Sequence, residues 1–97
     1  MRKFTLTFTQ PKIQTMMQRE GLTLRQLSLE EGQTLDRHHA AQVLTIVVLS
    51  GEIEFVAGNE SVVLRTHDLA TIDAYVEHAV RSIKQSVVLL VLTPDAH

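Results

Sequence analysis

The chain has 97 residues, which make one domain around one core. Nine Lys and Arg against eleven Asp and Glu give a formal charge of −2, with no basic field to hold a phosphate backbone. One Tyr, three Phe and no Trp are too few for a base-stacking platform, and the absence of Cys excludes disulfides and thiolate chemistry.

In chain order, Phe4, Leu6 and Phe8 alternate with Lys3, Thr5, Thr7 and Thr9, which predicts a half-buried strand. Met1-Arg2-Lys3 leads into that alternation and not into a continuous apolar stretch, so no secretory leader is expected. No apolar run approaches the roughly 20 residues of a membrane span, and a soluble cytoplasmic protein is expected. Ile13, Met16 and Met17 then fall at helical spacing, with Pro11 where a helix begins and Gly21 where one ends. This predicts one short helix near residues 11–19.

From Leu22 onward the pattern is strand. Leu22 and Leu24 alternate on one parity and Leu27 and Leu29 on the other, so a bulge or bend is expected at Arg25-Gln26. Glu31-Gly32 reads as a turn. Val43–Leu49 is almost wholly apolar, as expected of a strand covered on both faces, and Gly51 breaks it. Glu52–Phe55 resumes alternation, and Gly58-Asn59 suits a tight hairpin to Ser61–Leu64. Thr66-His67-Asp68 is the next turn, followed by short strands at Leu69–Ile72 and His78–Ile83. Ser86–Leu92 is a second buried run, and Pro94 ends it. A lone helix could not cover an open sheet of so many strands, which makes a closed all-β barrel the expected architecture.

The chemistry-bearing residues are histidines. His38 and His39 stand between the turn at Gly32 and the strand beginning near Val43, and His78 follows in Asp73-Ala-Tyr-Val-Glu-His78-Ala-Val80. Adjacent strand residues point to opposite faces, so one of His38 and His39 looks inward. The pairing of His38 with Ala40 on one face favours His38. Gln42 shares that parity, and Tyr75, on the loop before His78, is placed either to rim the pocket or to pack. His67 in its turn, Glu77 beside His78 and Arg37 read as solvated residues, since His tolerates left-handed backbone better than most. His97 is terminal, with no role argued.

Gly32, five residues, His38 and finally Gly51 are similar to the first motif of the cupin family, whose usual form is Gly, five residues, His-x-His, three or four residues, Glu, six residues, Gly. Leu64-Arg-Thr-His67-Asp68-Leu69 resembles the turn of the second motif, and Ile72 to Val80 its loop and His. The resemblance spans roughly Leu24 to Pro94. It implies a single RmlC-like cupin domain over 1–97, a jelly-roll barrel with its core at about 22–94 and the short helix before it. It also implies a pocket formed by His38, His78, Gln42 and Tyr75.

Two departures from the motif bear on metal. The second His position holds Ala40 or, in the longer reading, His39, and the Glu position holds Leu44 in both readings. Two imidazoles, His38 and His78, suit a divalent transition metal such as Zn, Ni, Fe or Mn, but stable sites take three or four protein ligands. The expected function is therefore a small-molecule-binding barrel with a two-histidine pocket and weak or no metal binding. The alternative is a metal-dependent cupin enzyme, a dioxygenase, isomerase or decarboxylase, with His38 and His78 as ligands. A third reading is a regulatory or structural dimer with a filled barrel. A chain of this length buries only about 60–65% of its unfolded surface, so a homodimer is expected.

Overall fold

The computed structural model describes residues 1–10, 12–38 and 40–95, with the side chain of residue 38 outside that description. Among the described residues, seven strands follow in order: β1 (Ile13–Arg19), β2 (Leu22–Leu29), β3 (Thr34–His38), β4 (Gln42–Ala57), β5 (Glu60–Arg65), β6 (Leu69–Ile72) and β7 (His78–Pro94). None of these residues forms a helix long and apolar enough to cross a membrane.

The two long strands organise the rest. β4 and β7 pair antiparallel from Gln42↔Pro94 to Ala57↔His78, and the register slips repeatedly between Val48 and Ile53. Such slips bend both strands, so each serves two sheets. The first half of β4 and the second half of β7 are flanked by β6 and β2, with β1 beyond β2. The other halves are flanked by β5 and β3. The result is an all-β jelly-roll barrel.

The core follows from strand alternation on either side of the bend. Leu44, Ile46 and Val48 face inward from β4 before it, and Ile53 and Phe55 after it. Val80, Val88, Leu90 and Leu92 meet them from β7, and Leu27 and Leu29 from β2. Each such side chain contributes about 1.5–3 kcal/mol by leaving water. At the corner, Gly51 has φ of 101°, and its backbone packs on Gln85 and Ser86. The buried Ser86 hydroxyl accepts from the Glu52 amide at 3.0 Å and donates to the Lys84 carbonyl at 2.6 Å. Ser82, also fully buried, donates to that same carbonyl, so the bend keeps its polar groups satisfied.

The sequence pattern misleads at four places. Residues 13–19 form strand β1 and not a helix, and Pro11 lies outside the described residues. The register of β1 on β2 slips between Thr15 and Met17, leaving Met16 as an extra residue. That bulge brings Met16 and Met17 to half-burial in succession, which imitates helical spacing. The bulge expected at Arg25-Gln26 thus lies on the facing strand, since β2 itself pairs with β7 without interruption from Thr23↔Leu92 to Leu29↔Ser86.

Residues 3–9 keep their alternation, with Phe4, Leu6 and Phe8 half-buried, but enter no strand ladder. They lie over the outer face of β2 instead. Buried Gln26 donates to the Thr7 carbonyl at 2.6 Å and to Thr9 Oγ1 at 3.1 Å, and the Thr9 amide donates to Ser28 Oγ at 3.2 Å. This cover explains the mixed parity of β2, whose two faces are both occupied. Val43–Leu49, expected to be covered on both faces, alternates buried and half-buried residues and ends at exposed Leu49.

Candidate functional site

A cavity of about 110 Å³ opens within the barrel, where the first half of β4 and the second half of β7 approach β2 and β3. Its walls are mainly apolar: Leu44 and Ile46 from β4, Leu90, Leu92 and Val80 from β7, and Leu35 from β3. Three polar side chains interrupt them, Arg25, Gln42 and His78. A few polar groups converging in an apolar concavity are what small-ligand sites have in common.

His78 opens β7 and is 4% exposed, with its ring centroid 6.2 Å from that of buried Phe55. Its Nδ1 lies 2.9 Å from the Val76 carbonyl. An N–H must fill that contact, so Nδ1 carries a proton and, in the neutral ring, the lone pair is on Nε2. The loop that delivers His78 is held by its backbone. The Tyr75 amide donates to the Ala40 carbonyl at 2.7 Å, and the Gly58 amide to the Glu77 carbonyl at 2.8 Å. Position 38 is the register partner of His78 on β3.

The expected site residues separate accordingly. Gln42 and His78 share the cavity. Tyr75 is 68% exposed, and its contribution to the loop is its backbone, at φ of 68°. His38 is brought to His78 in backbone register, while its side chain lies outside the description, as do His39 and His97 entirely. His67 occupies its turn at φ of 80° and is exposed. Glu77 is exposed and pairs at 3.3 Å with Arg37, so that arginine is engaged at the surface. Leu44, Ile46 and Val80 stand in the apolar wall, whereas Leu69 of β6 is 61% exposed.

Arg25 is the cavity residue that the sequence pattern hid. Read as one uninterrupted strand, β2 puts Arg25 on the parity of core residues Leu27 and Leu29. In the register Arg25, Leu90 and Ile46 form one row across β2, β7 and β4, and all three line the cavity.

At the carboxylate position of the cupin motif the cavity wall is aliphatic. Leu44, 5% exposed and part of the cavity wall, stands where a carboxylate ligand would be needed. Among the described residues no three His, Cys, Asp or Glu side chains group closely enough to hold an ion.

The fold has many counterparts among solved structures. An RmlC-like cupin protein from Desulfovibrio desulfuricans is 23% identical, superposes with a TM-score of 0.86, and the match covers 97% of each chain. A conserved protein of unknown function from Streptococcus pyogenes is 24% identical with a TM-score of 0.81, over 94% of this chain and 82% of that one. KdgF from Halomonas sp. is 15% identical with a TM-score of 0.80, over 96% and 88%. No curated protein matches the sequence. The model of the cupin domain family matches residues 26–93, the stretch that carries the whole cavity wall from β3 to β7, and the chain belongs to that family.

Proposed function

We propose that this barrel is a small-molecule-binding cupin whose polar pocket is built on His38 and His78, with Gln42 beside them and weak or no metal binding. The observation that carries the proposal is the cavity of about 110 Å³ with buried His78 and half-buried Gln42 set among aliphatic walls. The register partnership of positions 38 and 78 supports adding the second imidazole. An apolar cavity with such groups selects a ligand by shape and by a few hydrogen bonds. The alternative is a metal-dependent dioxygenase, isomerase or decarboxylase. Leu44 speaks against it, because an oxygenase-type facial triad wants two His and one carboxylate.

The homodimer belongs to the same proposal. The motive is the small core together with exposed Leu69 on β6, apolar surface of the kind a second copy covers.

A fragment screen by NMR tests the pocket. Saturable binders should move the His78 ring and the Gln42 side-chain amide. His78→Ala and His38→Ala should each abolish that binding with the barrel still folded, and His39→Ala should change little. Binders that cluster elsewhere, or binding lost in His39→Ala and kept in His38→Ala, would sink the proposal.

A further inference from the structure

We infer that the pocket takes a small carboxylic acid, with Arg25 as the residue that selects its charge; this rests on the cavity being the ligand site. The guanidinium carries a permanent positive charge and five donors in a fixed fork. Arg25 is half-buried and lines a cavity whose other walls are mostly aliphatic. Beside such walls a guanidinium gains most from meeting a group of opposite sign away from bulk water. Arg37, Arg65 and Arg81 each have a carboxylate, Glu77, Glu52 and Glu54. Among the described residues Arg25 has none.

The partner is therefore expected from outside the protein. A carboxylate matches the fork with two parallel hydrogen bonds, each stronger than a neutral pair. Gln42 and His78 supply further polar contacts, and Leu44, Leu90 and Leu92 receive a short aliphatic body. Size narrows the class. An apolar cavity of about 150 Å³ accommodates benzene. In proportion, about 110 Å³ holds about four or five non-hydrogen atoms, enough for the four carbons of isobutyrate with its carboxylate oxygens set against Arg25.

The test is an NMR titration of the full chain at pH above neutrality with isobutyrate and with its uncharged isostere isobutyramide, reading the His78 ring and the Gln42 amide. Isobutyrate should saturate these signals at concentrations about tenfold or more below isobutyramide, the scale of one charge-assisted pair. Arg25→Gln should abolish that preference, and Arg25→Lys should keep only part of it, because ammonium lacks the fork. The wild-type comparison of acid with amide holds even if a variant folds poorly. Equal binding of acid and amide in the cavity, or a preference that survives Arg25→Gln, overturns the assignment of charge selection while the pocket itself stands. If neither compound moves the cavity signals, the pocket reading falls as well.

Discussion

Gly51→Ala probes the corner on which the barrel depends. Gly51 sits at φ of 101°, beyond the left-handed well that other residues tolerate. A side chain forced there costs about 1–3 kcal/mol. A Cβ at this position would also collide with Ser86 Oγ and the Gln85 carbonyl oxygen, and would stand 2.7 Å from Ser86 Cα. Two of those three atoms are backbone, so neither can swing aside as a flexible side-chain end would. Overpacking of this kind costs about 1–3 kcal/mol more. The sum is about 2–6 kcal/mol, against a total stability of about 5–15 kcal/mol for a domain of this kind. Each kcal/mol lowers Tm by about 4–8 °C at this size, so Gly51→Ala should melt at least about 8 °C lower or fail to fold. Gly58→Ala is the control. Its φ is 60° and nothing lies within 4 Å of a Cβ there, so only backbone strain remains. That strain is about 1–2 kcal/mol, partly offset by a stiffer unfolded chain. Thermal melts followed by circular dichroism decide the matter. A Gly51→Ala protein within about 1 kcal/mol of wild type, or two variants that fall equally, would refute the corner as described.

Ser86→Ala should cost about 1–3 kcal/mol, because it strips the Glu52 amide of its acceptor in a buried corner; chemical denaturation reads the loss. Gln26→Met keeps the volume and removes the donor to Thr7 and Thr9, so the Thr9 amide should lose most of its hydrogen-exchange protection while the barrel amides keep theirs. Arg37→Ala, which removes an exposed pair with Glu77, should change stability by under about 1 kcal/mol, and a larger loss would assign the loop before His78 a stronger anchor than its backbone bonds. Sedimentation at micromolar concentration should show a dimer, and a lone species near 10.9 kDa would contradict it.

The barrel was legible because its signals are periodic. The apolar runs Val43–Leu49 and Ser86–Leu92, the alternation of Glu52–Phe55, the turn at His67 and the hairpin at Gly58-Asn59 needed no tertiary information. What alternation cannot reveal is a bulge or a second covered face. Met16 looked helical because an unpaired residue in β1 shifts the phase by one. Arg25 looked like a phase slip because the outer face of β2 is buried by residues 3–9, so Leu22 and Leu24 obscured the parity that Arg25 shares with Leu27. His78 stands at the start of β7, the strand head at which the sequence pattern put it, and its contacts with Phe55 and the Val76 carbonyl come from the fold alone. Tyr75 was harder, since a loop residue's direction depends on its local φ, here positive. Leu44 at the carboxylate position was visible from the motif resemblance, and its place in the cavity wall gives it chemical meaning.

Elemental analysis of protein purified without a histidine tag tests the central claim most directly. A two-histidine pocket walled by Leu44 should carry well under one transition-metal ion per chain, and His38→Ala and His78→Ala should not alter that content while each removes small-molecule binding. One tightly held ion per chain, lost in both variants, would contradict the account and make the barrel a metal enzyme's scaffold.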